Sequence, residues 1–162
     1  MFGFGQLIGI LKKNPKKIVF TEGEDPRILE ASSRLLASYF LHPILIGDEK
    51  RIADAAEESG FNIRGAEIID PEKFDKIDEM VELYCELRKK KGVTPDQARE
   101  ILKQANYFGT MLVKMGFADA LLGGATYSTA DTVRPALQLI KTKPGNNLVS
   151  SCFILVRPSA TG

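Results

Sequence analysis

One histidine, two cysteines and almost no excess charge of either sign stand out in this chain of 162 residues. Twenty-two basic side chains face 21 acidic ones, for a net charge of +1. His42 stands beside Pro43 at a strand entry with no nucleophile next to it, so Ser-His-Asp catalysis has little support. Cys85 and Cys152 lack metal-ligand spacing, and no His/Cys/Asp cluster points to a metal. Cys85 falls on a predicted helix face and Cys152 in a predicted buried strand, the pattern of reduced structural thiols in a cytoplasmic protein. No basic stripe or tail is present, which argues against nucleic-acid binding. No apolar run approaches the roughly 20 residues that span a bilayer, so no membrane role is expected. The opening stretch from Met1 to Leu11 is apolar, with no basic residue before it and no small-residue cleavage site. It reads as a first amphipathic helix rather than a signal peptide.

What is present is ordinary globular material, 44% hydrophobic and 27% charged, enough for a domain with a real core. Strand and helix signals alternate along it. Lys17–Thr21, Pro43–Gly47 and Glu67–Ile69 read as strands. Asp25 with Pro26 opens one helix and Asp48 another, which runs to about Ser59. A helix over Lys76–Lys90 ends at Gly92, and Thr94-Pro95-Asp96-Gln97 is a capping box that opens a single helix running to Gly116. Ala118–Leu122 reads as a fourth strand, Ala130–Lys141 as a helix and Leu148–Val156 as a fifth strand. The expected fold class is α/β: a three-layer α/β/α arrangement with a largely parallel sheet and helices on both faces. Ligands of such sheets bind beyond the carboxyl ends of the strands. A core strand running straight into the terminus suggests missing sequence.

The segment Leu121-Leu122-Gly123-Gly124-Ala125-Thr126-Tyr127-Ser128-Thr129 lies at such a carboxyl end. Two glycines there permit close backbone approach, and a helix start offers free N–H groups and a positive dipole end. The loop is neither a Walker P-loop nor a Gly-x-Gly-x-x-Gly fingerprint. A phosphate-binding loop and a tight turn with an ordinary Ser/Thr/Asp cap both fit it. Arg134 carries a planar fork suited to phosphate, and Pro135 after it places it near the helix start. An ion pair with Asp131 fits equally. Arg88 lies in the basic end of its helix, where the dipole alone favours a cation. Glu22, Glu24, Asp25 and Arg27 cluster after the first strand, without a spacing that demands a catalytic carboxylate.

Together, Asp119-Ala120, Gly124-Ala125-Thr126 and the run from Ser128 to Gln138 resemble the phosphate acetyltransferase (phosphotransacetylase) family. So do Thr21-Glu22-Gly23-Glu24-Asp25-Pro26-Arg27, Glu86-Leu87-Arg88-Lys89 and Ser150-Ser151-Cys152-Phe153. Phosphate butyryltransferases are similar but less close. The resemblance implies acetyl transfer between coenzyme A and inorganic phosphate, with acetyl-CoA, phosphate and acetyl phosphate as small-molecule partners. Coenzyme A would be a substrate, with no tightly bound cofactor and no metal. It implies a cytoplasmic homodimer of two-domain subunits in acetate metabolism, with the active site between the domains. Arg88 and Arg134 match family arginines implicated in coenzyme A or phosphate binding, and Ser128, Thr129 and Gly124 match positions beside the phosphate. Family members are roughly twice this long, so the chain corresponds to their N-terminal half. Residues 1–146 would be a first α/β domain lacking its return segment, and 147–162 the start of a second. The catalytic residues are then expected in the missing C-terminal half and the fragment is expected to be inactive alone. A butyryl-specific acyltransferase and a non-catalytic phosphate- or CoA-binding module are the alternatives.

Overall fold

The computed structural model describes residues 4–152. Its strands are β1 (Lys16–Phe20), β2 (Leu41–Ile46), β3 (Glu67–Ile69) and β4 (Ala120–Leu122). Its helices are α1 (Phe4–Lys13), α2 (Pro26–Ser38), α3 (Glu49–Ser59), α4 (Ile77–Leu87), α5 (Pro95–Leu102), α6 (Ala105–Lys114) and α7 (Thr129–Pro135). The four strands form one parallel sheet in the order β3-β2-β1-β4. Successive side chains of a strand point to opposite faces. Val19, Ile44 and Ile46 therefore pack against Met80, Leu102, Phe108 and Met111 of α4, α5 and α6. Phe20 and Leu45 turn to the other face, against Ile28 and Leu29 of α2 and Ile52 of α3. This is the expected three-layer arrangement. Helix α1 lies outside both clusters and exposes Leu7 and Ile10.

The caps legible in the sequence form. Asp25 accepts the Arg27 N–H and Asp48 the Arg51 N–H, and Thr94 makes its box with Gln97. Helix α6 lies close on the sheet because residue 109 is glycine. A Cβ there would stand 2.9 Å from Ile46 Cδ1 and 3.0 Å from both Leu121 Cδ1 and Val19 Cγ1.

Three expectations fail. The single helix from Thr94 to Gly116 is two, broken where Gln104 takes an extended backbone (φ −78°, ψ 121°). The break lets α5 and α6 each bury its own face, with Leu102 and Phe108 both fully inside. The fifth strand does not form over 148–152, where the chain is irregular and Leu148 is 84% exposed. A strand needs a paired neighbour, and this stretch pairs with none of the four strands; the remainder of that expectation, 153–156, lies outside the described residues. Cys152 is accordingly exposed rather than buried, and Cys85 is half-buried in α4; both are free thiols.

The third failure concerns Arg134. It lies not near the start of its helix but in the last turn of α7, and the helical path continues through Pro135 into a π-helical turn, Ala136–Ile140. Pro135 has no N–H for the Asp131 carbonyl four residues earlier. The Asn106 side-chain amide fills that vacancy, donating to the Asp131 carbonyl at 2.8 Å from a buried position on α6. Asn106→Ala is therefore expected to lower stability by about 1–2 kcal/mol by orphaning a backbone acceptor. Urea unfolding of the two chains measures it, and equal midpoints would exclude this role for Asn106.

Candidate functional site

From β1 the chain moves outward to β2 and β3, then returns to β4 on the other side of β1. The order reverses between β1 and β4, and the crevice outside their carboxyl ends is the ordinary ligand position of an open parallel sheet. The segments Thr21–Asp25 and Gly123–Tyr127 flank it. They approach closely: a Cβ on Gly123 would stand 2.7 Å from Thr21 Oγ1, so only glycine fits. A cleft of ≈ 690 Å³ opens from this point across the ends of β2 and β3.

The donors of the Gly-Gly loop face inward, onto Glu22. Its Oε1 accepts the N–H groups of Thr126 at 2.8 Å, Tyr127 at 3.0 Å and Gly124 at 3.1 Å. Its Oε2 accepts the Thr21 hydroxyl at 2.8 Å. Burial pushes the Glu22 carboxyl up, but the bonds from Thr126, Tyr127, Thr21 and Gly124 together outweigh it and hold the group below the ordinary glutamate value. Arg27 adds a second tie between the flanks. It grips Asp25 through Nε and a terminal nitrogen, at 2.9 and 2.7 Å, and donates to the Ala125 carbonyl at 2.6 Å. Its fork holds the Asp25 carboxyl below its usual range. The two sequence clusters after β1 and β4 are thus one structure, although about a hundred residues separate them.

Most other charges of the cleft are paired as well. Arg51 meets Glu24 at 2.8 Å, and Lys73 bridges Asp48 and Asp70 at 3.1 and 3.0 Å. No group of His, Cys, Asp and Glu suited to a metal occurs among the described residues. His42 is exposed in β2, near its amino end and away from the cleft.

The remaining candidates divide. Ser128 is the N-cap of α7: its hydroxyl accepts the Asp131 N–H at 3.2 Å and donates to the Asp131 carboxylate at 2.6 Å. Its bonds, the side-chain one first, hold the Asp131 carboxyl low. Thr129 is exposed at the first position of that helix. Arg134 is exposed beside an apolar groove with Val133 and Leu137; it makes no direct salt bridge to Asp131, although its charge is a minor contributor to holding that carboxyl low. Arg88 caps the carboxyl end of α4, half-buried, and its Nε has no acceptor among the described residues. One row of side chains links the arginines. Arg88 sits against Tyr84, Tyr84 lies edge-on to Tyr107 at 6.4 Å, and the Tyr107 hydroxyl reaches Gln138 Oε1 at 3.4 Å. Gln138 shares the groove with Arg134. Both arginines therefore belong to the α4–α6–α7 side, outside the acid-lined cleft.

A family profile described as "Phosphate acetyl/butaryl transferase" matches residues 4–161. The chain belongs to this family. The resemblance carried by the Arg134 segment is thereby borne out. The phosphate acetyltransferase of Bacillus subtilis (strain 168) is 50% identical over 141 residues, 87% of this chain and 43% of that protein. That of Thermoanaerobacterium thermosaccharolyticum is 47% identical over 148 residues, 91% of this chain and 44% of its own length. Among solved structures, the EutD phosphotransacetylase from Staphylococcus aureus superposes with a TM-score of 0.80 at 44% identity, covering 90% of this chain and 45% of that one. The chain thus spans less than half the length of the relatives it matches. No helix among the described residues is long and apolar enough to cross a membrane.

Residue-type reasoning singled out the cluster containing Glu22 but not its role, and missed Asn106 entirely. The signal for Glu22 was an acidic residue directly after one parallel strand and a Gly-Gly pair directly after another, which adjacency of those strands turns into a contact.

Proposed function

We propose that this chain forms the substrate-anchoring part of a phosphate acetyltransferase, in which acetyl-CoA and phosphate interconvert with acetyl phosphate and CoA. The observation that carries the reading is Arg134: an exposed cation with no salt bridge among the described residues, in the segment that resembles the family most specifically, beside the exposed apolar faces of Val133 and Leu137. Coenzyme A combines several phosphates with an uncharged arm, and a bidentate arginine next to an apolar groove complements both. Arg88 adds a second cation on the same side. Thr129, with Ser128 and Gly124, is assigned to the neighbourhood of the phosphate, Ser128 and Gly124 acting through the cap and loop they build.

In the reaction read towards acetyl-CoA, the CoA sulfur attacks the acetyl carbonyl, the thiol proton passes to a base, and the carbon–oxygen bond to phosphate breaks. The arginines hold the anions in line, which lowers the entropic part of the barrier. The base is assigned to the part of the relatives' length that this chain does not span, as are the homodimer contacts and the second domain that would begin near residue 147. Relatives named as acetyltransferases favour acetyl over butyryl transfer.

Titrating CoA into this chain calorimetrically tests the reading. Saturable binding is expected, weakened about 10- to 100-fold by Arg134→Ala, the loss of one charge-assisted bidentate contact. Equal affinity of the two chains would remove Arg134 from the site. Turnover of acetyl phosphate and CoA by this chain alone would place the base within it.

A further inference from the structure

The crevice between β1 and β4 is where an open parallel sheet ordinarily receives an anion, yet its donors already have one. Three backbone N–H groups converge on a single Glu22 oxygen within 3.1 Å, an anion nest filled by the chain itself. The loop that makes this nest runs directly into Ser128 and α7, whose last turn carries Arg134. Helix α7 has seven residues before the π-helical turn, and Pro135 denies it a backbone hydrogen bond, so its placement depends on ties to the rest of the fold. Asn106 ties its middle, and Glu22 ties its entry.

We propose that Glu22 is a positioning residue: it fills the nest at the strand-order reversal as a built-in anion, thereby fixing the approach of α7 and Arg134 to the substrate and closing the nest to the substrate's own phosphate. The inference rests on the reading of Arg134 as a substrate anchor. The adjoining cleft supports the closure. It carries six carboxylates against three basic side chains, two of them paired to its own carboxylates and the third, Lys103, to Glu100. An external phosphate arriving there meets net negative charge and an occupied set of donors, while the exposed Arg134 fork offers donors with no direct salt bridge among the described residues.

The test uses the full chain, CoA and formate, a carboxylate small enough for the space that Glu22→Ala vacates. CoA affinity should fall about tenfold in Glu22→Ala, the scale expected when several converging donors lose a charged acceptor. Added formate, but not an equal concentration of chloride, should restore it and return the amide resonances of Gly124, Thr126 and Tyr127 towards their wild-type positions. Inorganic phosphate should move those three amides in Glu22→Ala and leave them unmoved in the wild type. Wild-type CoA affinity in Glu22→Ala would overturn the proposal, as would an affinity that stays low with formate seated in the nest. If the wild-type chain itself binds no CoA, the reading of Arg134 has failed separately, and the amides decide. Formate-reversible changes reaching Asp131–Arg134 uphold the positioning role, and changes confined to 124–127 overturn it. Should Glu22→Ala not fold, Glu22→Gln, which keeps the shape and one acceptor oxygen, is expected to lose affinity a few-fold and regain none with formate; no loss overturns the proposal.

Discussion

Replacing Phe108 with alanine is expected to remove about 3–5 kcal/mol of stability, the range for truncating a fully buried aromatic ring. The side chain has no exposed surface and lies at the centre of the larger core cluster, between the sheet and the helices that cover it. Its ring meets Phe74 edge-on with centroids 5.3 Å apart, and Phe74 in turn meets Phe117 at 5.7 Å, so truncation also strips a partner from an aromatic row. Helix α6 holds its distance from the sheet through Gly109, next in sequence, and cannot easily settle inward to fill the space. Part of the cavity therefore persists. Urea unfolding followed by far-ultraviolet dichroism measures the loss, and a change under about 1 kcal/mol would mean the core collapses around the site and is not packed as described.

The second large effect is tied to pH. At neutral pH, Glu22→Gln is expected to cost about 1–2 kcal/mol, because an amide cannot replace a carboxylate at the convergence of three backbone N–H groups and a hydroxyl, with solvent screening of this partly exposed group reducing the loss. The Glu22 carboxyl is held below its ordinary value in the folded chain, against burial, by those bonds. A depressed carboxyl contributes stability that is fully present above its unfolded value and is lost as pH falls through its folded value. The gap between wild type and Glu22→Gln should therefore be constant at neutral pH and shrink as the solution is acidified past the ordinary glutamate range. Asp25, Asp48, Asp119 and Asp131 are also held low, by Arg27, the Arg51 N–H, the Lys17 N–H and Ser128 respectively, so both chains lose stability in acid. Only their difference reports on Glu22. A gap that stays the same from neutral to acid pH would show that the carboxylate's charge is not what holds the loop.

Local chemistry made much of the fold readable. Asp25 before Pro26, Asp48 and the Thr94–Gln97 box mark helix starts by satisfying free N–H groups within a few residues of themselves, so no distant partner enters the decision. Parallel strands with helices between them follow from the same punctuation. The break at Gln104 was not readable, because α5 and α6 carry continuous helical spacing and separate only to bury two faces against one sheet. The run from Leu148 was misread for the opposite reason. Apolar residues there fit a strand, but strands exist through their neighbours, and none pairs with this one among the described residues.

The amino-acid sequence by itself determined the α/β class, the caps, the segments at the strand ends and the family to which the chain belongs. Each of these depends on residues close together in the chain, or on their order. Tertiary structure alone decided who occupies the Gly-Gly loop. Glu22 and Gly124 are 102 residues apart, and only the pairing of β1 with β4 brings carboxylate and donors together. It also decided that Pro135 stays within a helical run, through the side chain of Asn106. In both places a backbone group left open by local structure is satisfied from a distant segment, because a buried or half-buried donor or acceptor must find a partner somewhere.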